Sequence, residues 1–353
     1  MNKALVIILM YLTANLVFGQ NILTVSNNPR IPAQYSDLQK AIDAAKDGDK
    51  IYIHPSPKQY AEGGATLSKD VSLIGGGYYN DATKRFLGDE TYIGRLTITA
   101  SSDNILIADC IINRLFLEPK DANDVTFENV TLEHNSISRI DFKPLNENIG
   151  SVNMSFRNNL IGIINFDEWK NYGESFKLRI ENNTVGLISN GAGSIVVNNN
   201  FFNPDFASAR TALENLTDFT FFNNIFYGNK SKNRIGVSTL SACIFDYNLS
   251  FETVDNFSGG TQNTFGQNNI ENKDPQFTTF SNTSIIETNF TLKSGSPAKG
   301  KGSNGTDIGI LGGQYPFEHT KPYNYPAVTN IIIANPIVDQ NGTIKFTIKA
   351  ENQ

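Results

Sequence analysis

A short pattern of apolar and polar positions recurs through the middle of the chain. Two or three alternating apolar residues come first, then a polar pair rich in asparagine, and then apolar residues again. Copies of the pattern lie at Ile105–Ile111, Val125–Leu132, Met154–Leu160, Leu178–Val185, Ile195–Phe201, Phe219–Ile225 and Cys243–Leu249. Alternation with a period of two predicts short β-strands, and the polar pairs predict the bends between them.

The copies are regularly spaced. Their central apolar residues are Ile107, Phe127, Phe156, Ile180, Val197, Phe221 and Phe245, at intervals of 20, 29, 24, 17, 24 and 24 residues. A period near 24 is typical of a β-solenoid, in which each coil stacks about 4.8 Å above the previous one. Asparagine tolerates the left-handed conformation of repeated bends, which accounts for the 44 Asn among 353 residues.

A second set of strands repeats with a similar period. Its apolar residues Leu96, Leu115, Ile140 and Ile164 are separated by 19, 25 and 24 residues. The first three follow Arg95, Arg114 and Arg139, so these arginines are expected to stack on successive coils. Two columns of strands with one period predict an all-β chain folded as a parallel β-helix.

Both ends of the solenoid are expected to be capped. Ser36–Gln39 matches a capping box that opens an amphipathic helix, and Gly48 suits its C-terminal cap. Prolines after residue 315 indicate a linker, and alternating segments around Asn341-Gly342 predict a hairpin. We therefore expect a β-helix domain at 20–315 with an N-terminal capping helix, and a small β tail at 316–353.

Residues 1–19 have the features of a secretory signal peptide. Lys3 precedes an almost wholly apolar stretch from Ala4 to Phe18, and the small Gly19 lies where cleavage is expected. The apolar stretch is short for a membrane span. The mature chain is therefore expected to lack a transmembrane segment and to be secreted or periplasmic.

The net charge and the number of cysteines bear on the partners and on the disulfides that the chain can have. The net charge of −6 disfavours a nucleic-acid partner. Cys110 and Cys243 are too few for a disulfide framework, and each lies in an apolar run, so both are expected to be separate buried thiols.

Two stretches carry a resemblance to a known family. Segment 35–53, YSDLQKAIDAAKDGDKIYI, resembles the first helix and strand of the pectate-lyase-like superfamily of right-handed parallel β-helices. Segment 296–313, which contains SPAKGKG and GTDIG, is similar to the last coil of secreted bacterial members. The resemblance implies a right-handed parallel β-helix that acts on or binds polysaccharide, since the superfamily includes lyases, hydrolases, esterases and non-catalytic binding or adhesion proteins.

The motifs that the resemblance implies for pectin methylesterases, polygalacturonases and pectate lyases do not occur here. A divergent polysaccharide lyase for an acidic glycan is the enzyme class that remains, with a glycoside hydrolase as the weaker choice. The alternative is a non-catalytic glycan-binding or surface-adhesion protein. A lyase needs a base and positive charge beside the developing enolate, and Ca²⁺ can supply that charge.

Two groups of residues are candidates for this chemistry. The candidate catalytic residues are Arg139, Asp141 and His134, because Arg139 and Asp141 share one strand face and His134 shortly precedes them. The candidate substrate-binding residues are Arg95, Arg114, Trp169, Tyr172, Asp167 and Glu168. For each group the alternative is an ordinary solvated face or polar loop.

Overall fold

The computed structural model describes residues 20–77, 90–99, 102–118, 127–143, 152–170, 176–281, 285–317, 326–333 and 346–352. The chain forms a parallel β-solenoid of about eight turns, with 46% strand and 6% helix. The prediction of an all-β parallel β-helix is confirmed.

One helix and a series of short strands make up the described chain. The helix α1 is Leu38–Ala44. The strands are β1 (Ile22–Val25), β2 (Lys50–Ile53), β3 (Ala65–Leu67), β4 (Ser72–Ile74), β5 (Tyr92–Ile98), β6 (Ser102–Asp103), β7 (Leu106–Ala108), β8 (Ile111–Leu117), β9 (Phe127–Glu133), β10 (Ser136–Phe142), β11 (Val152–Arg157), β12 (Leu160–Lys170), β13 (Phe176–Glu181), β14 (Thr184–Asn198), β15 (Phe201–Phe202), β16 (Leu213–Phe222), β17 (Ile225–Tyr227), β18 (Ile244–Asp246), β19 (Leu249–Phe251), β20 (Thr264–Phe265), β21 (Phe277–Thr279), β22 (Asn289–Leu292), β23 (Pro326–Ile333) and β24 (Phe346–Asn352). Short 3₁₀ turns lie at Pro204–Ala207, Val237–Thr239 and Ile285–Glu287.

Strands β1 to β20 form one winding sheet, and apolar residues stack inside it. The main inner column contains Ile107, Leu132, Phe156, Ile180, Val197, Phe221 and Phe245, each in register with the next. The sequence-based assignment of Phe127 to this column is wrong, because Phe127 pairs with Ser102 and Val152. The bend of that coil is therefore His134-Asn135, where histidine takes the position that is usually asparagine.

The two residues of each polar pair have different roles. The first takes a left-handed conformation, with φ of 53° to 57° at His134, Asn158, Asn182, Asn199, Asn223 and Tyr247. The second is a fully buried asparagine, and Asn135, Asn159, Asn183, Asn200, Asn224 and Asn248 form a ladder of hydrogen bonds along the solenoid. The prediction that asparagine serves the bends is confirmed.

Helix α1 covers the open N-terminal coil with Leu38, Ala41 and Ile42. Its N-cap is Asp37, whose carboxylate accepts the Lys40 N–H. The capping box predicted at Ser36–Gln39 is therefore wrong, because the cap lies one residue later and Lys40 cannot complete a box. The helix ends at Ala44, and Gly48, predicted as its cap, lies in the following turn with φ of 88°.

The described residues of 274–317, here called the C-terminal arm, run along the outside of the later coils. An outward column of Leu160, Phe201, Ile225 and Leu249 packs against the arm as a second apolar cluster. Asn182 Nδ2 also donates to the carbonyl oxygens of Ile310 at 2.8 Å and Gly312 at 2.7 Å. The last coil that the family resemblance implied at 296–313 is therefore replaced by a segment folded back along the surface.

The remaining expectations concern the tail, the cysteines and membrane spans. Strands β23 and β24 pair antiparallel, which confirms the predicted β tail, while the predicted turn at Asn341-Gly342 lies outside the described residues. Cys110 and Cys243 are buried free thiols, as predicted, and burial raises the pKa of the Cys243 thiol to about 11. None of the helices in the described part of the chain has the length and apolar character needed to cross a bilayer.

Candidate functional site

Three predicted arginines stack on one outer face of the early coils. Arg95 in β5 is in register with Arg114 in β8, which is in register with Arg139 in β10. Parallel strands lie about 4.8 Å apart, so the side chains leave the surface at that spacing. The next coil has Ile163 at this position, so the stack, here called the arginine ladder, ends at Arg139.

Asp141 joins two members of the arginine ladder. Its Oδ1 lies 2.7 Å from Arg139 Nε, and its Oδ2 lies 2.9 Å from Arg114 Nη2. The Asp141 side chain is only 6% exposed, whereas those of Arg114 and Arg139 are 50% and 35% exposed. A buried carboxylate thus offsets the repulsion between two guanidinium groups that remain accessible to solvent.

An aromatic ring supports the ladder from beneath. Phe116 is buried and in register with Asp141. Its ring centroid lies 4.2 Å from the guanidinium carbon of Arg95, 4.9 Å from that of Arg114 and 5.0 Å from Lys143 Nζ. Cations over an aromatic face are attracted by its quadrupole, so Phe116 holds these three side chains near one another.

The next coils position Asp141 from the other side. Asn165 Nδ2 donates to Asp141 Oδ1 at 3.2 Å, and Asn165 Oδ1 accepts from Ser189 Oγ at 3.2 Å and Asn190 Nδ2 at 2.9 Å. Burial alone would raise the pKa of Asp141. The hydrogen bonds from Arg139, Arg114 and Asn165 outweigh that effect and hold the pKa below its ordinary value.

The charges of this face are unbalanced. Arg95, Arg114, Arg139 and Lys143, here called the cationic patch, outnumber the described carboxylates beside them, Asp141 and Glu118, of which Glu118 lies next to Lys143 on the neighbouring coil. Arg95 is exposed and forms no ion pair with any residue that the structure describes. The arrangement can therefore bind anions, while Asp141 is a weak base because its anionic form is strongly stabilised.

Among the other predicted site residues, the structure describes the side chain of His134 alone, and it lies apart from this cluster. His134 lies at the bend between β9 and β10, and six residues, most of them in the extended strand β10 and spanning roughly 20 Å, separate it from Asp141. Asp167, Glu168 and Trp169 belong to the end of β12, where the backbone of Trp169 pairs with Gly191. Their side chains, and the whole of Tyr172, lie outside the described residues.

The structure adds residues that the sequence did not single out, namely Phe116, Lys143 and Asn165. The strand register could have identified two of them, because Phe116 and Asn165 occupy the outward position of Asp141 on neighbouring coils. For the Ca²⁺ considered for a lyase, no group of three or more His, Cys, Asp or Glu residues in the described chain is arranged to hold a metal ion.

Comparison with known proteins identifies no family for the chain. Its sequence matches no protein-family model and no curated protein. The functional interpretation therefore depends on the geometry and charge of the cationic patch.

Proposed function

We propose that this β-solenoid binds an acidic polysaccharide through Arg95, Arg114, Arg139 and Lys143. The supporting observation is the in-register stacking of three arginines around one buried carboxylate. With four cations and two anions, Asp141 and Glu118, the face has an excess positive charge in a chain whose net charge is −6. A leader at residues 1–19 would take the protein to the cell exterior, where it would meet such polymers.

The spacing of the cations favours a polymer over a small anion. Side chains repeated about every 4.8 Å along the solenoid axis can contact successive acidic groups of one extended chain. Guanidinium groups form paired hydrogen bonds with carboxylates or sulfates, and the exposed half of Arg114 leaves donors for such contacts. Several weak contacts along one polysaccharide chain then give tighter binding than any single contact does.

Binding without cleavage is the activity that the contacts of Asp141 favour. A lyase base must be accessible and readily protonated, whereas Asp141 is buried and its pKa is lowered by Arg139 and Arg114. Its role in this proposal is to fix the two arginines in position. We therefore favour glycan binding over glycan cleavage as the activity of this face.

The test is titration of the protein with polygalacturonate and hyaluronate in a calorimeter, with dextran as the uncharged control. We expect binding to the acidic polymers, a loss of about tenfold in affinity for Arg95→Met, and loss of binding near 1 M salt, where the screening length is about 3 Å. Arg179→Met, which removes an exposed arginine from β13, is the matched control and should have little effect.

Each other outcome contradicts the proposal. Equal losses for Arg95→Met and Arg179→Met would show that only overall charge matters. Failure of both acidic polymers to bind would remove the basis for an anionic ligand. Release of unsaturated oligosaccharides, detected by ultraviolet absorbance, would show that the protein is a lyase.

A further inference from the structure

A cleft lies between β17 and the C-terminal arm, far along the chain from the cationic patch. It has a volume of about 410 Å³ and is lined by Tyr227, Asp274, Gln276, Phe277, Phe280 and Lys293. This volume is in the range of small-molecule sites. Only Tyr227 comes from the solenoid coils, so the cleft exists because the arm folds back over them.

Aromatic rings form one side of the cleft. The ring centroid of Tyr227 lies 4.2 Å from that of Phe280 and 6.2 Å from that of Phe277. Tyr227 and Phe280 are partly exposed, whereas Phe277 is buried beneath them. Further contacts of Tyr227 with Phe201 and Phe251 fix its ring. The site therefore offers a rigid apolar surface to a ligand.

The polar side chains of the cleft include both signs of charge. Asp274 supplies acceptors, Lys293 supplies donors, and Gln276 supplies both. An anionic ligand would be repelled by Asp274, and a cationic ligand would be repelled by Lys293. Hydroxyl groups donate and accept, so a neutral polyhydroxylated ligand satisfies this mixture best.

Hydrogen bonds fix the Asp274 carboxylate and the backbone that carries Gln276 and Lys293. Asp274 Oδ1 accepts the Gln276 N–H at 2.7 Å, and the Gln276 carbonyl accepts the Lys293 N–H at 3.0 Å. Gln276 has φ of 55°, a left-handed conformation uncommon outside glycine and asparagine. Burial, with the charges of Asp274 and Glu252, raises the pKa of Tyr227 to about 12, so its hydroxyl keeps its proton and can donate.

We propose that this cleft binds a neutral hexose unit of a polysaccharide, with its apolar ring face against Tyr227 and Phe280 and its hydroxyls on Asp274, Gln276 and Lys293. The apolar C–H face of a hexose is suited to an aromatic surface, and its ring of hydroxyls is suited to clustered donors and acceptors. This site is separate from the cationic patch and does not require anion binding there.

The test uses neutral tetrasaccharides: cellotetraose, maltotetraose, mannotetraose and galactotetraose. Saturation-transfer NMR on the full chain identifies a binder, and calorimetry measures its affinity. We expect at least one to bind in the millimolar range or better, and Phe280→Ala and Asp274→Asn each to weaken it about tenfold. Lys299 is exposed on the same arm and lies outside the cleft. Lys299→Met is therefore the control, and we expect it to bind the tetrasaccharide as the parent protein does.

Two results would overturn the proposal. One is that none of the four tetrasaccharides binds the folded protein. The other is that binding persists unchanged in both Phe280→Ala and Asp274→Asn, because the ligand would then occupy another surface. Since all four probes are uncharged, either result leaves binding of acidic polymers at the cationic patch unaffected, so the two proposals fail independently.

Discussion

Asn159 accepts two hydrogen bonds from Asn135 on a single oxygen. Its Oδ1 lies 2.9 Å from the backbone nitrogen of Asn135 and 3.1 Å from the Asn135 side-chain nitrogen. The Asn159 amide then donates to the carbonyls of Leu132 and Arg157 and to Asn183 Oδ1. Because Asn159 is fully buried, each of these groups depends on its protein partner rather than on water.

Asn159→Ala should therefore lower the free energy of unfolding by about 3 kcal/mol, since it leaves several buried donors and acceptors without a partner. Asn153→Ala is the matched control. Asn153 is exposed, and its amide donates only to Asn129 Oδ1 at 3.1 Å, so we expect a change within about 0.5 kcal/mol. Urea unfolding of both variants tests this, and equal losses would contradict a special role for the buried ladder.

The ladder also shows what sequence periodicity could and could not predict. Asparagine pairs located four of the bends, those at Asn158, Asn182, Asn199 and Asn223, because both positions favour that residue for different reasons. The bend at His134-Asn135 was missed because its coil contains a second polar pair with an asparagine, which matched the pattern instead. A nearby Glu128-Asn129 pair then placed Phe127, instead of Leu132, in the inner column.

The candidate sites also differ in how far the sequence could predict them. The arginine ladder was predicted because it follows from register along one repeat. The contact of Lys143 with Phe116 was missed, since it joins different positions of neighbouring coils. The cleft at Tyr227 could not be predicted from the repeat, because it depends on a non-repeating arm that brings Asp274 and Lys293 to the coil surface.

Asp141 should make stability depend on pH in a definite direction. Its pKa is lower in the folded protein than its ordinary value of 3.8, so it stabilises the fold above that value and this contribution is lost as the pH falls through the folded-state pKa. We expect Asp141→Asn to be less stable than the parent by about 2 kcal/mol at neutral pH.

Denaturant unfolding of both proteins across a pH series measures that difference. It should stay constant from neutral pH to about pH 5 and shrink as the pH falls below the ordinary value of 3.8, where the unfolded parent takes up a proton that the folded carboxylate still resists. A difference that stays constant into strong acid would show that Asp141 acts through shape rather than charge.

Asn182 should control how firmly the C-terminal arm is held. Asn182→Gly keeps the left-handed conformation, at φ of 54°, and removes two hydrogen bonds to the arm. We expect the arm to open more often and limited proteolysis within 285–317 to be about tenfold faster. Asn272→Gly, at φ of 52° with an exposed side chain, is the control for added backbone freedom, and similar cleavage of both variants would contradict the prediction.

Lys69 should stabilise the N-terminal cap by binding the end of α1. Its Nζ lies 3.1 Å, 2.6 Å and 2.7 Å from the carbonyl oxygens of Ile42, Asp43 and Ala45. A cation at this end also interacts favourably with the helix dipole. Lys69→Met keeps the aliphatic stem but loses these contacts, so we expect local unfolding of α1 to become easier by about 1–2 kcal/mol.

Hydrogen exchange of the α1 amides is the suitable measurement for this variant, because an end of a solenoid can open without unfolding the other coils. The amides should exchange about tenfold faster in Lys69→Met, while amides of the central coils stay unchanged. Lys46→Met removes an exposed lysine just beyond the same helix end and should have no comparable effect. If both variants accelerate exchange equally, general charge near the helix end, rather than the three carbonyl contacts of Lys69, stabilises the cap.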